Sequence, residues 1–205
     1  MILGVFSSPA QKGSREAQFW EWFQRHEDEL FRLRSGRDPI FKSLADKIKN
    51  VNRSLVFEFG PVENGQREFV VSAGGLKSVF PAVVSLADAA PVLPRWKITK
   101  FRPRRSDITA IEIGSANISS EEVMITYQQG TLYVDIAVFI GESDLDEKIR
   151  AQLGFLFLDQ ALGEFDVATY LGGIKFKPKS AVTNSTKISL QAFVKELDKI
   201  KAFFN

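Results

Sequence analysis

Residues 55–73 read LVFEFGPVENGQREFVVSA, and this stretch decides the fold class. In LVFEF (55–59) apolar residues recur at every second position, so Leu55, Phe57 and Phe59 share one face of a strand. REFVVSA (67–73) answers it. Between the two runs, Asn64-Gly65 is a tight-hairpin signal, because both residues tolerate positive φ. Gly60-Pro61 predicts a break or bulge in the first strand, since proline brings no N–H to a ladder.

Outward from the hairpin the pattern continues. AGGLKSVFPAVVSLADAAP (73–91) reads as a short turn and a helix from near Pro81 to just before Pro91. WKITKF (96–101) follows as a strand. A second round then begins with strands at VMITYQQ (123–129) and TLYVDIAVFI (131–140), joined at Gln129-Gly130. It goes on through a helix over 144–163 and a strand at YLGGIKF (170–176). Both last strands end alike, in Phe101-Arg102-Pro103-Arg104 and Phe176-Lys177-Pro178-Lys179. This is either a degenerate internal duplication or a coincidence of two common hairpin-plus-helix patterns. The fold class is α+β: largely antiparallel strands with helices packed on one face or at the ends. We expect one domain over 1–205, subdivided into a helical lead (1–53), a first unit (54–105), a second unit (106–179) and a C-terminal helix (180–205).

The helical lead carries FWEWFQRHEDELF (19–31). Ser14 is placed to cap a helix running to about Arg34, which Ser35-Gly36-Arg37 ends. At 100° per residue, Phe19, Trp22, Phe23, Leu30 and Leu33 gather on one side, widened by Trp20 and Phe31. Glu21, Arg25, Asp28 and Arg32 take the other side. Asp38-Pro39 starts a second helix with Ile40, Phe41, Leu44, Ile48 and Val51 at helical spacing. The C-terminal helix, from about Ser189, shows Leu190, Phe193, Val194, Leu197, Ile200 and Phe204 as one stripe.

Composition narrows the function. The chain has 205 residues, no cysteine and one histidine, which removes disulfides, thiolate metal sites and a cysteine nucleophile. HEDEL is not HExxH, because Leu30 stands where the second histidine belongs. Neither P-loop, dinucleotide fingerprint nor GxSxG elbow is present, and no cofactor or metal is called for. MILGVFSS at the start lacks the charge and length of a signal peptide. No run approaches the roughly 18 apolar residues of a membrane span. We therefore expect a soluble, cytoplasmic protein.

The net charge is +2, yet RWKITKFRPRR (95–105) holds six basic groups and no acid, so the rest of the chain is net negative. Alternation sends Trp96, Ile98 and Lys100 one way and Lys97, Thr99 and Phe101 the other. Arg95, Trp96, Lys97, Arg102, Arg104 and Arg105 are the candidate binding residues. Arginines beside exposed rings suit phosphate contact and base stacking, but no RNA- or DNA-binding signature accompanies them. An acidic protein partner, a nucleic acid, or a solvated edge strand protected by charge all fit. The leading expectation is a protein-interaction or ligand-binding module acting through this strand.

An enzyme is the third class. His26, near the centre of the apolar arc, is a general base or a packed histidine. Asp159, on the apolar helix FLFLDQALGE (155–164), needs a partner if buried; it can orient His26, cap an element or pair with an arginine. Glu58 and Asp135, mid-strand, form an acid/base pair if they face one another and otherwise lie on a solvated face. Gly74-Gly75 and Gly172-Gly173 read as turn or close-packing sites.

FWEWF (19–23), LVFEFGP (55–61), REFVVSAGG (67–75), FPAVVSLADAAPVLPRW (80–96) and FRPRR (101–105) together resemble a group of uncharacterised bacterial proteins of this size. The resemblance covers most of the chain. It implies a single-domain α+β bacterial protein and carries no assigned chemistry.

Overall fold

The computed structural model describes residues 13–33, 38–105 and 108–204. The expected start at MILGVFSS and the Ser35-Gly36-Arg37 break fall outside them. The chain forms two compact units, Met1–Arg102 and Pro103–Asn205, each with its own hydrophobic core. The structure is α+β, and among the described residues no helix is long and apolar enough to cross a membrane.

In the first unit, helices α1 (Arg15–Arg25), α2 (Glu27–Arg32) and α3 (Pro39–Val51) precede strands β1 (Val56–Glu63) and β2 (Gln66–Ser72). Helix α4 (Phe80–Asp88) and strand β3 (Trp96–Lys100) follow. Ser14 caps α1 by accepting the Ala17 N–H at 3.1 Å. The long helix expected over 14–34 is interrupted at His26, where φ is −112°. Its imidazole Nδ1 sits 2.8 Å from the Trp22 carbonyl. That carbonyl is the one an unbroken helix would offer to the His26 backbone N–H. The backbone N–H turns to Phe23 O instead, and the helix restarts at Glu27.

The hairpin forms as the sequence predicts. Asn64 and Gly65 have φ of 51° and 78°, and the β1–β2 register shifts between Phe59 and Val62, at Gly60-Pro61. Strand β3 then joins β2 in parallel, from Arg67–Trp96 to Val71–Lys100. The sheet order is β1-β2-β3. The core is aromatic: Phe69 has no exposed surface and is met by Phe19, Phe23, Phe57, Phe59 and Trp96 at 5.2–6.5 Å. Trp20 crosses it edge-on at 6.2 Å and donates its indole N–H to Leu86 O of α4. A fully buried ring of this size contributes about 1.5–3 kcal/mol.

The second unit opens with a short hairpin, β4 (Ala110–Ile113) and β5 (Ala116–Ser119). Each strand has only four residues, too few for alternation to mark them in sequence. Strands β6 (Met124–Gln129) and β7 (Val134–Phe139) form the expected antiparallel hairpin. Helices α5 (Glu147–Leu162) and α6 (Glu164–Tyr170) then lead to β8 (Leu171–Lys177), which pairs with β7 in parallel. Strand β9 (Ile188–Ser189) and helix α7 (Leu190–Lys201) close the chain; the sheet order is β8-β7-β6-β9. The helix expected over 144–163 starts later, because Asp146 accepts the Lys148 and Ile149 N–H groups as its cap. It ends at Gly163, whose φ of 87° stops one helix and lets another begin. The stripe on α7 packs as read, with Leu190, Phe193, Leu197 and Ile200 buried.

Both units therefore hold a hairpin, a helical crossover and a third strand parallel to the second. The middle strand of each is followed by a glycine at positive φ, Gly74 and Gly141. The sequence echo does not coincide with this repeat. Phe176 lies inside β8 opposite Val138, whereas Phe101 follows the end of β3 at φ 62°.

Gly154 on α5 sits against the Phe176 ring, and a Cβ there would lie 2.2 Å from the nearest ring carbon. Gly154→Ala gains at most about 1 kcal/mol of helix propensity but overpacks at a cost of about 1–3 kcal/mol. We expect a net loss of stability in urea denaturation, partly recovered by adding Phe176→Leu.

Candidate binding site

The basic tract crosses the boundary between the two units, and each unit engages its own part. In the first, Arg95 reaches Asp28 at 2.5 Å and lies 4.0 Å over the Phe31 ring. Lys97 pairs with Glu68 at 3.2 Å, and Glu68 also accepts a hydrogen bond from Thr99 Oγ1 at 2.6 Å. Lys100 pairs with Asp88, and Arg102 Nε donates to Glu58. The positive field foreseen from the sequence is thus met locally by carboxylates from α2, β2, α4 and β1.

Trp96 corrects the sequence reading more sharply. It is 4% exposed and packs on Phe23 and Phe59 at 4.9 and 5.7 Å, so it is core and not a stacking platform. The expected alternation also fails at Phe101. Its positive φ turns the chain, and its ring packs at 4.4 Å on Phe80.

In the second unit, Arg104 makes a bidentate pair with Asp198, at 2.8 and 2.9 Å. Lys201 joins Asp198 at 3.1 Å and Asp166 at 2.5 Å. Arg105 is fixed through its backbone N–H to Gln160 O at 2.7 Å. Arg104 and Arg105 border a cavity of about 290 Å³ with Ile108, Leu190 and Val194 as its apolar floor and Lys195 on its rim. Lys195 is exposed and has no ion-pair partner among the described residues. Here an exposed lysine stands beside the end of the tract and an apolar surface. Lys195 was not singled out from sequence; its signal was its place next to Val194 on the polar flank of the α7 stripe.

The catalytic candidates fall in different units, His26 and Glu58 in the first and Asp159 and Asp135 in the second. His26 is half-buried, stacked on Trp22 at 4.5 Å. The Trp22 carbonyl can only accept, so Nδ1 carries the proton in that contact. Its surroundings are a polar surface cleft with Gln24, Arg25 and Glu29. Asp159 is 5% exposed on α5, in the other unit, and no arrangement within either unit pairs it with His26. Glu58 and Asp135 do not face one another across a sheet, because β1 and β7 belong to different sheets. Glu58 accepts from Arg102. Asp135 accepts the Gly173 N–H at 2.6 Å where the β7–β8 register shifts. A Cβ at Gly172 would come 2.7 Å from Asp135 Oδ1, so the Gly172-Gly173 pair is the close-packing site expected of it. Among the described residues no group of three or more histidines and carboxylates is arranged to hold a metal ion.

Two arginines escaped sequence reading altogether. Arg150 is 3% exposed and donates to the carbonyls of Ile140, Gly141, Glu142 and Leu145, tying the β7–α5 loop together. Arg67 donates Nη1 to the carbonyls of Leu30, Phe31 and Leu33 at 2.8–3.0 Å. Its signal was present: Arg67, Phe69 and Val71 share one face of β2 by period two.

No family model matches this chain, and neither a curated protein nor a solved structure matches it.

Arg104, then Lys201, holds the Asp198 carboxyl down at about 2, from an ordinary 3.8. The folded state therefore binds this proton less readily than the unfolded chain. The stabilisation is complete above pH 4 and is lost as pH falls toward 2. We expect Asp198→Asn to lower stability at neutral pH and to flatten the acid limb between pH 4 and 2 in thermal melts.

Proposed function

We propose that this protein is a binding module for an acidic segment of a protein partner. The segment places an apolar side chain on the Ile108–Leu190–Val194 floor and its carboxylates against Arg104, Arg105 and Lys195. The observation that carries this reading is the joining of three cations to an apolar floor in one cavity. The Arg104 fork already donates through both terminal nitrogens to Asp198, so Arg104 acts as a positioned cation at the edge of the site and the segment's carboxylates are met first by the exposed Lys195. Nucleic-acid binding is the second reading, and it is weaker. The ring that would stack on bases, Trp96, is in the core, and among the described residues no aromatic side chain lines the cavity. The enzyme reading has no candidate acid/base pair within one unit among the described residues. The absence of cysteine and the resemblance to bacterial sequences agree with action in a bacterial cytoplasm.

The test is fluorescence anisotropy with three labelled probes: an Asp/Glu-Leu peptide, a Lys-Leu peptide and a single-stranded oligonucleotide. We expect the acidic peptide to bind, and Lys195→Glu to weaken it about tenfold, or about 1.4 kcal/mol. Lys195 is the chosen position because reversing it breaks no ion pair among the described residues. Equal binding by wild type and variant refutes the site. Preference for the oligonucleotide with steep salt dependence moves the assignment to the second reading.

A further inference from the structure

A second cavity, of about 480 Å³, lies in the first unit where the C-terminal end of α2 meets the β1 bulge. Its volume is within the roughly 300–1,000 Å³ of small-molecule sites. Phe31, Leu33, Pro61 and Val62 supply apolar walls, and Arg67 and Arg32 the charge. The bulge at Gly60-Pro61 creates it by shifting the register beyond Phe59. We propose that this cavity binds a small organic monocarboxylate, its apolar body against Phe31 and Val62 and its carboxylate on Arg67.

Arg67 carries the argument. Its Nη1 and Nε donors go to four carbonyls, of Leu30, Phe31, Leu33 and Gly60, and the guanidinium lies 4.6 Å over the Phe59 ring. Those contacts explain why it is rigid. They do not neutralise it. Arg95, Arg102 and Arg104 each meet a carboxylate, whereas Arg67 has none among the described residues and its Nη2 makes no hydrogen bond there. Partial burial lowers its pKa with no carboxylate to offset the desolvation, yet an arginine remains charged at neutral pH. A half-buried cation, fixed in advance and facing a cavity, favours an anion that brings the missing charge. The walls select among anions. Four apolar side chains disfavour a compact, strongly hydrated ion such as phosphate and favour a carboxylate on a hydrocarbon body. Arg32 adds charge at the rim, its Nε already held by Asp28 O at 3.0 Å.

The experiment is a titration of the full ¹⁵N-labelled chain with benzoate, followed at the Arg67 Nε–H and at the Phe31, Leu33 and Val62 amides. Benzamide and inorganic phosphate are run in parallel. We expect saturable shifts with benzoate at a millimolar Kd, and at least tenfold weaker binding of benzamide and phosphate. Arg67→Met risks the fold, because it also frees the α2 carbonyls. Val62→Glu is therefore the decisive variant: Val62 is 50% exposed, and a carboxylate at the mouth should abolish benzoate binding while leaving the spectrum folded. Benzamide binding as well as benzoate refutes the charge selection. Phosphate shifting the same resonances more strongly refutes the apolar selection. No saturable shift, or an unchanged Kd in Val62→Glu, refutes the site.

Discussion

A strand lying parallel to one member of a hairpin cannot be reached by a turn; it requires a crossover. Both units meet that constraint in the same way, and most of the structure follows from it. The crossover in the first unit carries α4, and in the second α5 and α6. The middle strand, paired on both edges, becomes the most protected part of each sheet. Phe69, Val70, Val71 and Ser72 are four successive residues with no exposed surface, and Val138, Phe139 and Ile140 are buried in the same way. In the first unit this burial gathers six aromatic side chains around Phe69. In the second it brings Gly154 so close to Phe176 that no side chain fits between them.

Charge is arranged around these cores by local pairing. The tract 95–105 is basic in sequence but largely neutralised in space, since Asp28, Glu68, Asp88, Glu58 and Asp198 come to it from five different elements. Surface pairs of this kind add little stability each, about 0–1 kcal/mol. Their main effect here is on recognition: they remove most of the free positive field of the tract and leave Lys195 as the exposed cation beside the apolar surface. Arg67 and Arg150 show the same rule from the opposite side. Both are held by backbone carbonyls, which fix a guanidinium without cancelling its charge. Arg150 is closed off by its loop, whereas Arg67 borders open space.

Local pattern determined much of this protein on its own. The period-two run at Leu55, Phe57 and Phe59, the Asn64-Gly65 turn, the Gly60-Pro61 bulge and the α7 stripe were all legible, because each depends on neighbours a few residues away. The α+β class and the repeated strand-helix grammar followed from them. The helical wheel assumes an unbroken helix, whereas this one ends at His26, whose imidazole meets the Trp22 carbonyl. The short β4–β5 hairpin was silent because four-residue strands carry too little alternation.

What tertiary structure alone decided is pairing between residues far apart in the chain. Sequence shows that Trp96 alternates with Lys97. It does not show that a parallel partner strand and the rings of α1 and α2 will bury the tryptophan. It lists six bases within eleven residues but not the carboxylates that meet them, which lie up to 94 residues away. It placed Glu58 and Asp135 mid-strand, and only the fold put those two strands into different sheets. Periodicity is a short-range property of a chain, and a site is made by long-range closure, so the architecture was readable from the sequence and both candidate sites needed the fold.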